Sequence, residues 1–244
     1  MLKHLCFILL LPVFLFSQEF TADRPGFATG ATLVAKSSFQ FESGFEFSKS
    51  GDLKASSLPN LLLRYGLSDV FEVRLGGTGW TRLSANGNNN NTYMNDALVE
   101  SKIRLTKDSA PADIALVLGS TIPIGDNEIA SSDVEYGFRL VGAWDVTQTI
   151  GFGFNVGAYL AESANERPVI TILSMAFDKN LSEKTGIFFE LYGEAPEHNT
   201  WSPIFDTGLA YIVGSKTQLD CVFGLGLNST APDAVVGFGF SHLF

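Results

Sequence analysis

Apolar and polar positions alternate along most of this chain. The clearest run is Phe39-Gln40-Phe41-Glu42-Ser43-Gly44-Phe45-Glu46-Phe47. In an extended backbone, Phe39, Phe41, Phe45 and Phe47 share one face, and Gln40, Glu42, Gly44 and Glu46 share the other. The same period of two recurs in Phe71-Glu72-Val73-Arg74-Leu75, in Val99-Glu100-Ser101-Lys102-Ile103-Arg104-Leu105, in Gly151-Phe152-Gly153-Phe154 and in Gly237-Phe238-Gly239-Phe240. No segment after Ser17 combines a helical period with caps. The pattern predicts twelve strands, at 38–48, 59–67, 70–80, 94–105, 113–123, 134–145, 150–160, 168–177, 185–194, 204–213, 217–227 and 234–244. Each is about the 9–11 residues that a tilted strand needs to cross a bilayer.

The connections alternate in length. Short ones are expected at 68–69, 107–112, 146–149, 178–184 and 214–216, and longer ones at 49–58, 81–93, 124–133, 161–167, 195–203 and 228–233. The segment 81–93 includes the run Asn86-Gly87-Asn88-Asn89-Asn90-Asn91, which reads as a solvated loop tip. Long loops on one side and short turns on the other are the habit of outer-membrane barrels. An even strand number then places both ends of the sheet on the short-turn, periplasmic side.

The chemistry of the two faces sharpens this picture. Nearly every predicted strand has an apolar face, and no amphipathic helix is available to cover it. Closing the sheet removes its edges, and turning the apolar face to lipid removes the need for a covering layer. The expected fold is therefore all-β, a transmembrane antiparallel up-and-down barrel. By parity the opposite face lines the lumen with Glu42, Glu46, Arg64, Glu72, Arg74, Glu100, Lys102, Arg104, Glu135, Arg139, Glu190 and Asp220, joined by Glu194 and Asp206. Trp80, Trp144, Trp201, Tyr93, Tyr159 and Tyr211 fall near strand ends, as interfacial aromatic girdles do.

Composition agrees. Charged residues make up 17% of the 244 residues, below the ~25% of soluble domains, while mean hydropathy is +0.17. Residues 1–17 carry Lys3 and His4, then an uncharged stretch and Ser17, the form of a cleaved signal peptide. Residues 18–37 precede the barrel at 38–244. The net charge of −10 argues against nucleic acid. Loss of the leader leaves Cys221 as a single thiol, so no internal disulfide is expected. The last residue, Phe244, closes an alternating strand. It resembles the C-terminal signature by which bacterial outer-membrane proteins are recognised by their assembly machinery.

Four stretches together resemble a known family. They are Thr21-Ala22-Asp23-Arg24-Pro25-Gly26-Phe27, Phe39-Gln40-Phe41-Glu42-Ser43-Gly44-Phe45, Leu63-Arg64-Tyr65-Gly66-Leu67-Ser68-Asp69 running into Phe71-Glu72-Val73-Arg74, and Ile122-Pro123-Ile124-Gly125-Asp126. The chain is similar to the "putative MetA-pathway of phenol degradation" family of transporter-like outer-membrane barrels. It departs from that pattern at Gly26, where Asp is usual, and at Lys36-Ser37-Ser38, where a Pro/Gly pair is common. Two placements are open for residues 18–37. They form an exposed periplasmic lead, or they fold into the lumen as a plug in which Asp23 and Arg24 pair with wall charges.

Catalytic signatures are absent: Gly-x-Ser-x-Gly, Gly-x-x-x-x-Gly-Lys, His-Glu-x-x-His and Cys-x-x-Cys do not occur. No cofactor, metal or enzymatic role is expected. A metal pair of His198 with Asp206 lacks ligand spacing. The expected function is porin-like passive passage of small solutes through a charged lumen in the outer membrane of a Gram-negative bacterium. Its acidic excess favours cations, and the expected partners are outer-membrane lipid, the assembly machinery and small solutes. Two alternatives remain: a non-conducting structural or surface-interaction barrel, and a channel for hydrophobic or aromatic compounds.

Overall fold

The computed structural model describes residues 20–85, 89–162, 167–197 and 199–244. The leader expected at residues 1–17, the first half of the asparagine run (86–88) and His198 lie outside the described residues. The strands are β1 (Phe39–Ser50), β2 (Leu53–Ser68), β3 (Phe71–Ala85), β4 (Asn89–Met94), β5 (Ala97–Arg104), β6 (Asp113–Ile122), β7 (Tyr136–Asp145), β8 (Ile150–Leu160), β9 (Val169–Asn180), β10 (Thr185–Pro196), β11 (Ser202–Val213), β12 (Thr217–Gly226) and β13 (Ala234–Leu243). All pair antiparallel with their neighbours, and β1 pairs with both β2 and β13, so the sheet closes on itself. The fold is a closed antiparallel barrel.

Thirteen strands fill twelve places around it. β3 is long and pairs with β5 through Phe71–Gly76, then with β4 through Trp80–Ala85. β4 and β5 thus share one position, interrupted at Asn95-Asp96. Two features account for the break. Gly77 takes a left-handed φ of 127° opposite it. The Asp96 carboxylate accepts the N–H groups of Ile124, Gly125 and Ser131 at 3.0, 2.9 and 3.1 Å, which ties the β6–β7 loop over the gap.

Two sequence expectations are corrected here. Segment 81–93 was expected as a loop, yet β3 runs on to Ala85 and Asn89–Met94 returns beside it. Asparagine's poor strand propensity hides this hairpin. β2 also starts at Leu53 instead of 59, because Pro59 masks the pattern. That proline has no N–H to give and sits where the pairing skips from Leu58 to Asn60.

The burial pattern is the reverse of a soluble protein's. The largest fully buried side chains are Arg64, Lys102, Gln40, Glu42, Glu72 and Glu190, while Leu75, Phe138, Phe177, Phe189, Phe205, Phe223 and Phe238 are exposed. Such an outer wall needs an apolar solvent, because apolar surface of this extent in water has nothing to cover it. The closing seam is aromatic on that lipid-facing side. Phe39–Phe244, Phe41–Phe240 and Phe45–Phe238 pair across β1 and β13 with ring centroids 5.4–5.6 Å apart. Such pairs add about 0.5–1.5 kcal/mol each beyond area burial.

Candidate functional site

Residues 20–37 pass through the inside of the barrel. The register fixes this, since their polar contacts reach strands all around the wall. The N–H groups of Asp23 and Arg24 donate to Glu42 of β1 at 3.1–3.2 Å. Val34 donates to Glu72 of β3 at 2.6 Å, and Phe27 to Glu190 of β10 at 2.8 Å. Thr29 and Asn155 of β8 exchange two hydrogen bonds, of 2.8 and 2.9 Å. Gln218 of β12 donates to the Arg24 carbonyl at 3.1 Å. The apolar part of the segment, Ala31 and Leu33, packs on Ala115, Val117 and Val141, the apolar part of the inner face of β6 and β7.

Asp23 is the electrostatic centre of this arrangement. Its carboxylate lies 2.6 Å from Arg74 Nη2, 3.4 Å from Arg64 Nη1 and 3.5 Å from Lys102 Nζ, and it accepts the Gly30 N–H at 3.1 Å. Burial alone would raise its pKa, but the charges of Arg64, Lys102 and Arg74 outweigh burial and hold it well below the usual carboxylate range. Arg64 is shared in turn. It gives Nε and Nη2 to Glu72 at 2.8 and 3.1 Å, Nη1 to Glu42 at 3.1 Å, and reaches the Thr21 and Thr32 carbonyls. Lys102 Nζ donates to the Gly30 carbonyl at 2.8 Å.

Arg24 points the other way, to Asp220 of β12 at 3.0 Å. Its guanidinium occupies a slot made by two missing side chains. A Cβ at Gly44 would lie 2.5 Å from it, and one at Gly239 would overlap it. Above this layer Arg74 Nε lies 3.1 Å from Glu100, which also pairs with Arg139.

The other expected lumen residues divide. Glu46 lies on the inner face of β1, in register with Gly237. Arg104 ends β5 and pairs with Asp108 in the adjoining turn, away from the central network. Glu135 precedes β7 and is tied to the rim by Ser131 at 2.6 Å and the Glu162 N–H at 2.9 Å. Tyr159, expected in a girdle, turns inward and donates to Glu194 at 3.2 Å. Several inner-face groups were not singled out from sequence, among them Asn155, Ser174, Phe188, Tyr192 and Gln218. Strand parity was the available signal for all of them.

Among the described residues the lumen holds small cavities, two of them of about 220 and 270 Å³. Asp23, Gly26 and Thr29 border the smaller, and Leu98, Glu100 and Arg139 are common to both. Glu100 and Arg139 stand near the strand ends that carry the long connections, so the cavities lie beyond the N-terminal segment on that side.

The sequence model of the family described as "Putative MetA-pathway of phenol degradation" matches residues 22–244. The chain belongs to this family. Among solved structures, the COG4313 outer membrane channel from Pseudomonas putida F1 superposes with a TM-score of 0.66 at 11% identity, over 90% of this chain and 100% of that one. The KdgM porin gives 0.58 at 14%, over 84% and 99%, and the NanC porin 0.56 at 12%, over 84% and 98%. At these identities the likeness is one of fold. No curated protein matches the chain.

In this family member, three of the four sequence stretches that carried the resemblance meet in space. Asp23 and Arg24 come from the first, Glu42 and Gly44 from the second, and Arg64, Gly66, Glu72 and Arg74 from the third. Gly66 is where the chain leaves the lumen. Lys36 bridges to it in parallel, Ser37 donates to its carbonyl at 2.7 Å, and any Cβ there would strike the Val34 and Ala35 carbonyls.

Proposed function

We propose that this protein is an outer-membrane channel of a Gram-negative bacterium, passing small solutes through a charged lumen gated by its own N-terminal segment. The observation that carries this reading is a lipid-facing barrel whose inner wall is charged and whose lumen is crossed by a segment held through polar contacts. Water can take over such contacts when the segment leaves, and the apolar packing of Ala31 and Leu33 is small beside them. Acids outnumber bases on the inner wall, which favours cations. The wall charges also argue against apolar cargo. Transport is its role, with no catalysis, and its partners are outer-membrane lipid, the solutes and the assembly machinery. Phe244 suits recognition by that machinery: its side chain is exposed and its N–H donates to the Phe39 carbonyl at 2.9 Å.

The ion-paired lumen itself favours a second reading, a barrel that never conducts. Planar-bilayer recording on the full chain and on Arg24→Ala separates the two. The variant removes the Asp220 anchor and leaves the wall intact. The expected result is a small cation-selective current in the native protein and a current several-fold larger in the variant. Silence from both, with the folded state verified by heat-modifiable gel migration, would establish the non-conducting barrel.

A further inference from the structure

The cationic side chains inside the barrel come from β2, β3, β5, β7 and the N-terminal segment. Among the described residues the opposite wall has none. On β10 the inner face reads Phe188, Glu190, Tyr192, Glu194, so carboxylates alternate with aromatic rings. Glu190 stands in register with Asp206 of β11, and Tyr192 with Ser174 of β9. Ser174, Glu190 and Asp206 are 0%, 1% and 3% exposed. Asp206 Oδ1 has no hydrogen-bond partner, and Ser174 Oγ and Glu190 Oε1 face only each other. Among the described residues no Lys or Arg nitrogen comes within 4.0 Å of either carboxylate. Tyr192 is held flat against Phe27, with centroids 4.4 Å apart and planes at 10°.

We propose that Ser174, Glu190 and Asp206 form a binding site for an organic primary ammonium ion, with Phe188 and Tyr192 flanking its body. The inference rests on the lumen being open to solutes. Three acceptor oxygens on three neighbouring strands match the three N–H donors of an –NH₃⁺ group. Two carboxylates supply the counter-charge that a buried cation requires, and the rings on either side favour cations over their faces. A divalent metal fits poorly. Among the described residues no three acidic, His or Cys side chains are placed to hold one, and hard divalent ions take about six or more oxygens.

The test is titration calorimetry of the full chain in detergent micelles, with benzylammonium chloride as probe. Benzyl alcohol, benzyltrimethylammonium and potassium chloride are the comparisons. Saturable benzylammonium binding is expected, weakened tenfold or more by Asp206→Asn and less by Ser174→Ala. The neutral alcohol should not bind, and the quaternary ion, which has no N–H, should bind at least tenfold more weakly. The proposal is overturned by absence of saturable binding, by Asp206→Asn binding like the native chain, by equal affinity for the quaternary ion, or by potassium competing at equal concentration. If Asp206→Asn fails to show heat-modifiable migration, Glu190→Gln replaces it under the same criteria. Calorimetry needs no current, so silence in bilayers would remove the channel reading while leaving this site standing or falling on its own result.

Discussion

Glycines at the inner wall do two different jobs, and their replacement should cost different amounts. At Gly44 and Gly239 the atoms that a Cβ would meet belong to the tip of Arg24. That tip can swing aside, so Gly239→Ala should fold. It should nevertheless separate Arg24 from Asp220, a loss of about 1.5–3 kcal/mol for a charged hydrogen bond. At Gly66 the obstructing atoms are the Val34 and Ala35 carbonyls, which are backbone. Gly66→Ala must shift either β2 or the exit of the N-terminal segment, and should cost more. Thermal unfolding followed by gel migration would rank them, Gly66→Ala below Gly239→Ala below native. Parity placed Gly44 on the inner face from sequence alone. That it makes room for an arginine twenty residues earlier was not readable, because the partner arrives through a loop of unpatterned sequence.

Strand placement follows from the alternation wherever lipid demands an uninterrupted apolar face. β1, β3, β8 and β13 were legible for that reason, and their inward and outward residues fall as the pattern requires. The pattern fails past the bilayer, where β2, β3 and β4 extend into solvent and polar residues serve both faces. Selection by lipid makes the outward face intolerant of charge. Leu209 lies in the middle of β11 and is 45% exposed on the outer wall. Leu209→Lys should therefore destabilise the barrel by about 2–4 kcal/mol if it meets the bilayer midplane. Equilibrium urea unfolding in lipid vesicles measures this directly. A lysine at Ala210, on the inner face of the same strand, should cost markedly less.

At the scale of the whole molecule, the barrel and its N-terminal segment form one electrostatic unit, and Asp23 is where they join. Its partner Arg74 is 51 positions away in sequence and Arg64 about 41, so the chemistry of the Asp-Arg-Pro stretch was visible while its placement was not. Arg64 keeps Glu42 and Glu72 when Asp23 is neutralised, and Arg74 keeps Glu100. Lys102 keeps no carboxylate within 4.0 Å among the described residues, only the Gly30 and Thr32 carbonyls, which belong to the segment itself. Removing one member of a buried charge set costs about 3–5 kcal/mol. In Asp23→Asn that cost falls on the docked state, because an undocked segment leaves Lys102 free to take up water. A shift of about 3 kcal/mol raises the undocked population roughly a hundredfold. Asp23→Asn should thus open the lumen more than Arg24→Ala, which breaks a single pair at the edge of the network. The sign with pH follows from the lowered pKa of Asp23. Its stabilisation is complete above the unfolded carboxylate value near 4 and is lost only as pH falls towards the lower folded value. Acidification from pH 7 to 5 should accordingly leave native docking through Asp23 intact. Conductance histograms of native protein, Arg24→Ala and Asp23→Asn in one bilayer system would test the order. Equal currents in all three would mean that the segment does not control passage.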